Sequence, residues 1–277
     1  MKTRFNSRRI LPVIILILFA LNLKAQENDR TNGYIPEVGQ KGKDVVWVPS
    51  PPELISEMLT MASVTPDDYV IDLGSGDGRV VISAARLGAH ALGIEYNHDL
   101  VALSLRNAEK EGVSSKTEFI EGDLFKCDLS KATVITLFLL PDINIKLKPK
   151  LLDLKPGTRI VSNTFLIGDW IPDKEVIKEE NPYGWNTAYL WIVPVKVEGK
   201  WKIGSDILTI KQSYQVIHGS LVSEGRTLSI SEGELTGNEI IFRFGKYIYT
   251  GQVNGEKMIG TRTSDGDTTE WEAERIN

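Results

Sequence analysis

Residues 70–78 run Val-Ile-Asp-Leu-Gly-Ser-Gly-Asp-Gly, an apolar segment that ends in an acid, Asp72, and breaks into glycines at 74, 76 and 78. Glycine accepts positive φ at no steric cost, so such a turn lets backbone approach a ligand closely. Its neighbours narrow the choice of ligand. A phosphate loop needs a Lys-Ser or Lys-Thr pair after its glycines, and here Arg79-Val80 follows. A dinucleotide fingerprint spaces its glycines G-x-G-x-x-G, whereas Gly74, Gly76 and Gly78 are spaced G-x-G-x-G. Asp72 would also set negative charge against a pyrophosphate. The turn suits a ligand with a positive end. His90, His98 and His218 are scattered without metal-ligand spacing, so no metal is expected. Cys127 is the single cysteine, which excludes an intramolecular disulfide and reads as a small buried hydrophobe.

The elements that must position this turn can be read outward from it. Residues 69–73 suit a buried strand, 79–88 a helix stopped by Gly88, 91–96 a second strand, and 98–111 a helix that ends at Gly112. Residues 116–123 and 133–140 give a third and a fourth strand. Helical sequence follows from Pro141, with Pro149 expected to begin a second piece, and 158–165 give a fifth strand. Residues 53–63 suit a preceding helix. Such alternation implies a doubly wound, mostly parallel α/β sheet. It stops after residue 170: 174–180 and 187–195 read as two neighbouring strands, and from Gly199 the pattern is all strand, with 206–217 taken as one of them. Asn-Gly at 254–255 is a hairpin signal. A small antiparallel meander or barrel is expected over 198–277, after an α/β domain at 44–197.

With 277 residues, 42% hydrophobic and 25% charged, the chain has the composition of a globular protein, and its net charge of -5 lacks the basic footprint of a nucleic-acid binder. Residues 1–25 combine a basic start, a 14-residue apolar run at 10–23 and a small residue, Ala25. They read as an export signal, or as a membrane anchor if uncleaved. Residues 26–43 are polar and glycine-containing and read as a linker.

The stretch from Asp72 to Gly78 resembles motif I of the class I S-adenosylmethionine-dependent methyltransferases. The resemblance implies that Asp72, Gly74, Ser75, Gly76, Asp77 and Gly78 hold the methionine part of S-adenosyl-L-methionine. It implies that Glu95, followed by Tyr96, receives both ribose hydroxyls, and that Asp123, followed by Leu124, receives the adenine amine. Together with 47–59, 79–101, 137–152 and 157–170, the stretch resembles the protein-lysine methyltransferases that modify the ATP synthase c subunit and the adenine nucleotide translocase. That resemblance covers roughly residues 45–171 and places Pro49 and Ser50 in a loop over the cofactor. The family lacks the carboxyl-terminal β segment, so the target lysine is not implied.

Methyl transfer from a sulfonium is an in-line displacement that needs alignment rather than a nucleophilic side chain. A lysine acceptor must first lose its proton, which an apolar mouth at Trp47, Leu140, Pro141 and Trp170 would favour. Trp170 reads equally well as core. Asp142 either orients the amine or caps the following helix. Lys146, Lys148 and Lys150 read as a solvated helix face, and Tyr183, Trp185, Tyr189 and Trp191 as packing between sheet and β segment. The expected partner is therefore a protein lysine, at a membrane if the first segment anchors the chain. The competing reading is an exported, degenerate methyltransferase fold whose β domain binds a partner, and a nicotinamide enzyme using Glu95 is a third.

Overall fold

The computed structural model describes residues 33–178 and 184–276, so the expected export segment and Tyr183 lie outside the described residues. Seven strands, β1 (Tyr69–Leu73), β2 (His90–Glu95), β3 (Thr117–Glu121), β4 (Val134–Leu137), β5 (Arg159–Asn163), β6 (Lys174–Ile177) and β7 (Thr187–Ile192), form one sheet. Its order is β3-β2-β1-β4-β5-β7-β6. The first five are parallel, and β7 runs antiparallel between β5 and β6. Alternation along β1 explains the two layers. Val70 joins a core with Leu54, Val81 and Ala84, whereas Ile71 and Leu73 join the opposite core with Leu147 and Leu151.

Helices α1 (Pro52–Met61), α2 (Arg79–Arg86) and α3 (His98–Lys110) cover the first face and α4 (Pro141–Leu152) the second. Asn97 caps α3, its Oδ1 accepting the Asp99 and Leu100 amides at 2.9 and 3.3 Å. Pro149 does not open a new helix. It sits exposed inside the last turn of α4, where its missing N–H forfeits one ladder bond, to the Ile145 carbonyl. Because β4 lies on the far side of β1 from β2, the strand order reverses between β1 and β4, and a crevice opens at their carboxyl ends.

The remaining strands are β8 (Gly199–Ile203), β9 (Asp206–Ser213), β10 (Val216–Ser223), β11 (Arg226–Ser229), β12 (Ser231–Thr236), β13 (Glu239–Phe244), β14 (Tyr247–Asn254), β15 (Lys257–Ser264) and β16 (Asp267–Ile276). All pair antiparallel, and the β9–β10 pairing closes β10-β12-β13-β14-β15-β16-β8-β9 into a ring of eight. β11 extends β12 alongside the second half of β10. Side chains fill the interior, among them Trp201, Phe244, Met258 and Trp271, with Phe242 stacked on Tyr249 at 4.9 Å.

Residues 206–217 are not one strand. The chain turns at Tyr214, whose φ is 56°, although no Gly, Asn or Pro stands there. Tertiary contacts impose the turn: Tyr214 OH donates to Asp169 Oδ1 at 2.8 Å and accepts from Lys148 Nζ at 2.9 Å, and its ring stacks on Trp170. Trp170 is 1% exposed, so it belongs to the joint between sheet and barrel rather than to a substrate mouth. Its Nε1 donates to Gln215 Oε1 at 3.0 Å, and its carbonyl accepts from Trp191 Nε1 at 2.9 Å. Lys148, bonded to Asp169 and Tyr214, is a tie across this joint and not part of a solvated face, and Lys150 donates to the Phe125 carbonyl at 3.1 Å. Val197, expected to close the α/β part, lies in the barrel core. No described helix is long and apolar enough to cross a membrane.

Candidate active site

Asp72 stands one residue before the end of β1, Glu95 closes β2, and Asp123 stands two residues beyond β3, so three acids line the crevice. The crevice is bounded by residues 42–50, the glycine turn and the carboxyl ends of β2 and β4. Asp72 is 5% exposed and accepts from Thr136 Oγ1 of β4 at 2.6 Å. Burial pushes its carboxyl up to about 7 despite that hydrogen bond, and the nearby Glu95 and Asp77 charges add to the rise. A buried acid in this state is stabilised by an arriving cation.

The glycine loop is held from two sides. Ser104 Oγ donates to the Gly76 carbonyl and Asn107 Nδ2 to the Asp77 carbonyl, both at 2.9 Å, which fixes the loop on α3. The Gly76 amide donates to Glu95 Oε2 at 2.9 Å, and the Asn97 amide to Glu95 Oε1 at 2.9 Å. Gly76 has φ 56°, and a Cβ there would meet Trp47 Nε1 at 2.7 Å, so the position requires glycine on both counts.

Trp47 belongs to a strap that folds across the crevice. Its amide donates to the Gln40 carbonyl at 3.0 Å and its carbonyl accepts from the Gly39 amide at 2.9 Å, closing a hairpin over 39–47. The expected linker is thus part of the wall from Gln40 onward. Lys43 donates to Asp123 Oδ2 at 3.0 Å and lies 4.5 Å above the Tyr96 ring. That hydrogen bond, joined by the Phe125 amide, holds the Asp123 carboxyl below its ordinary range and raises the Lys43 ammonium. Farther along, Arg79 bonds Asp77 at 2.7 Å and the Ser50 carbonyl at 3.0 Å.

The structure therefore brings Asp72, Gly74, Ser75, Gly76, Asp77, Glu95, Tyr96, Asp123, Leu124, Trp47, Pro49 and Ser50 around one crevice. The Ser75 hydroxyl, however, points inward against Gly93 and has no hydrogen-bond partner among the described residues, so only its backbone can serve a ligand. Gly78 does not line the crevice. It begins α2 at φ 81°, where a Cβ would strike Phe119 and Ser104. Leu140, Pro141 and Asp142 also lie outside the lining: Leu140 is 45% exposed, and Asp142 is exposed in the first turn of α4, where its charge faces the positive helix end. Lys43, Thr136 and Phe138 were missed. Thr136 carried a signal, since a hydroxyl inside the apolar run 133–140 needs a buried partner. Lys43 carried none. Among the described residues no group of His, Cys, Asp and Glu could hold a metal ion.

A doubly wound sheet with this strand order, a glycine turn behind a buried acid and further acids at the next two strand ends defines an S-adenosylmethionine-dependent methyltransferase. Residues 72–174 match the model of the ANTKMT methyltransferase domain. A protein-lysine N-methyltransferase of Saccharolobus islandicus is 45% identical over 152 residues, 54% of this chain and 94% of that protein. The lysine N-methyltransferase of the ATP synthase c subunit from Xenopus laevis is 35% identical over 46% of this chain and 56% of its own length. Among solved structures, an RNA methyltransferase of Salinibacter ruber in complex with S-adenosyl-L-homocysteine shares 47% identity over 54% of this chain and 96% of that chain, with a TM-score of 0.51. At 45% identity over nearly the whole of the Saccharolobus islandicus protein, the chain belongs to the same family as that protein-lysine N-methyltransferase.

Proposed function

We propose that this enzyme transfers the methyl group of S-adenosyl-L-methionine to a lysine amine of a protein. One observation carries the reading: acids at the ends of β1, β2 and β3 face a single crevice in a chain that spans nearly the whole of a protein-lysine N-methyltransferase at 45% identity. The residues fit the donor. Asp72 would hold its ammonium, Glu95 its ribose hydroxyls and Asp123 its adenine amine, while Gly74 and Gly76 would let backbone approach it. When bound, the donor supplies an electrophilic methyl. The protein aligns the acceptor amine and excludes water, which is worth on the order of 7–11 kcal/mol of barrier in well-oriented reactions.

The net charge of -5 favours a protein acceptor over a polyanionic RNA. Incubating the purified chain with methyl-labelled donor and a membrane-protein extract, followed by mapping of the labelled residue, tests this. Label on a lysine supports it, and label on RNA alone or on no lysine overturns it. Export or membrane anchoring remains a proposal from residues 1–25, supported by their apolar run. A reporter active only outside the cytoplasm, fused after residue 43, tests it. The degenerate-fold reading requires that donor not bind, which calorimetry with the donor, its demethylated product and NAD decides.

A further inference from the structure

Phe138 follows β4 by one residue, Phe165 follows β5 by two, and Trp185 precedes β7 by two. The sheet order puts all three at the same edge as the acids, but on the opposite side of Asp72: Glu95 and Asp123 stand over β2 and β3, and the aromatic residues over β4, β5 and β7. Their rings converge. Phe138 lies 6.1 Å from Phe165 and 5.7 Å from Trp185, and Phe165 lies 5.8 Å from Trp185. Each is half-buried, and Phe138 also lines the crevice. Trp185, expected to pack between sheet and barrel, instead packs on Phe138, the member of the cluster that lines the crevice.

A second observation sets this cluster apart from ordinary packing. Phe165 is presented by a three-residue turn in which its amide donates to the Asn163 carbonyl at 2.7 Å and the central Thr164 has φ 62°. A β-branched residue at positive φ is an outlier, and strain of this kind persists only where surroundings over-determine it. They do so here. Thr164 Oγ1 donates to Asn163 Oδ1 at 2.8 Å, Asn163 Nδ2 to Ser50 Oγ at 3.1 Å, and Ser162 Oγ to the Phe165 carbonyl at 2.7 Å. Asn163 is fully buried, and Ser50 is the strap residue on which Arg79 also closes. The aim of Phe165 is therefore coupled to the cofactor loop through Ser50, Arg79 and Asp77.

We propose that Phe138, Phe165 and Trp185 form a binding site for the cationic acceptor side chain, recognising an alkylammonium through the faces of their rings and retaining its methylated forms for further methyl transfer. The inference rests on the lysine reading above and specifies its acceptor subsite. Ring quadrupoles attract a cation held within about 6 Å of a ring centroid, with tryptophan the strongest. In each round the amine nitrogen's lone pair forms the N–C bond as the S–C bond breaks and leaves its electrons on sulfur. Before each round, the first included, the held ammonium gives an N–H proton to water, and each round uses a fresh donor. An added methyl makes the cation larger and less hydrated, so the rings hold the product of one round for the next.

Fluorine NMR of the full chain carrying 5-fluorotryptophan tests the site without reference to activity. The Trp185 resonance, assigned by its loss in Trp185→Phe, is expected to shift saturably with tetramethylammonium and not with the neutral isostere 3,3-dimethyl-1-butanol. Phe165→Leu, or Phe138→Leu should the first not fold, is expected to weaken tetramethylammonium binding about five-fold, the scale of one cation–ring contact. Phe165→Leu, whose side chain is outside the crevice lining, should keep its affinity for S-adenosyl-L-homocysteine, and either variant should shift the product on a methylated lysine protein from trimethyl toward monomethyl. Equal response to the neutral isostere, or unchanged tetramethylammonium affinity in the leucine variant, overturns the site. Tetramethylammonium binding without any lysine methylation leaves the ring site standing and refutes the lysine reading, and lysine methylation without tetramethylammonium binding does the reverse.

Discussion

Lys43 Nζ stands 3.0 Å from Asp123 Oδ2, eighty residues away in the chain, and so rests on the carboxylate that the donor's adenine amine would approach. The strap and the nucleoside meet at one acid. Replacing Lys43 by Met should tighten S-adenosyl-L-homocysteine binding two- to five-fold at low salt, an order-of-magnitude expectation for an exposed ion pair that must open. Salt screens the pair, so the advantage should shrink as ionic strength rises. Weaker binding by the Met variant would mean that Lys43 assists the ligand instead of competing with it.

The pH dependence follows from Asp72. Burial pushes its carboxyl up to about 7 from an ordinary 3.8. Between these values the folded state keeps a proton that the unfolded chain has lost, so Asp72 lowers stability progressively from about pH 4 to pH 7, by up to about 1.4 kcal/mol per pH unit, and leaves it flat above. Asp72→Asn, which preserves the acceptor for Thr136, should remove that slope in urea titrations and raise stability at pH 8. Donor binding should release a proton at pH 6.5, because an ammonium beside Asp72 favours its carboxylate. Calorimetry in two buffers of different ionisation enthalpy measures the release, and proton uptake would refute the assignment.

Gly76→Ala should cost about 1–2 kcal/mol for a left-handed alanine and should also displace Trp47. In a double-mutant cycle with Trp47→Ala, the Gly76→Ala penalty on stability and on donor affinity should fall, since the collision is with Trp47 Nε1. Additive effects would show that the strap does not rest on the loop.

The barrel should not be separable without loss. Trp170 and Trp191 are buried at the joint, and Val195 already bonds the Gly237 carbonyl at 2.8 Å. Cutting after residue 193 removes Gln215, the partner of Trp170, and uncovers the surface around it. Trp170→Ala in the full chain should cost about 3–5 kcal/mol in urea denaturation. A truncated chain that melts and binds donor like the whole would show that the joint contributes little.

How far the sequence revealed this arrangement differs by residue, for physical reasons. Asp72 and Glu95 were readable because each ends a buried apolar strand, and local alternation fixes a strand end. Tyr214 was not, because its left-handed backbone is imposed by Asp169, Lys148 and Trp170, all distant in sequence. Lys43 sits among polar and glycine residues whose composition signals a linker, yet Trp47 and Asp123 order it. Phe138, Phe165 and Trp185 come from three separate segments whose nearness depends on β7 inserting beside β5. The doubly wound half is built from local periods, whereas the strap, the joint and the ring cluster are products of tertiary contact.

The central claim is that the acids on β1, β2 and the β3 loop hold the methyl donor, and Glu95 tests it most directly. Calorimetric titration of Glu95→Ala with S-adenosyl-L-homocysteine, beside circular dichroism and a melting curve, is the decisive measurement. Hydrogen bonds to a charged group contribute about 1.5–3 kcal/mol, so the variant should remain folded and bind roughly ten- to a hundred-fold more weakly than the parent chain. A folded Glu95→Ala protein with unchanged affinity would contradict the assignment of this crevice as the donor site.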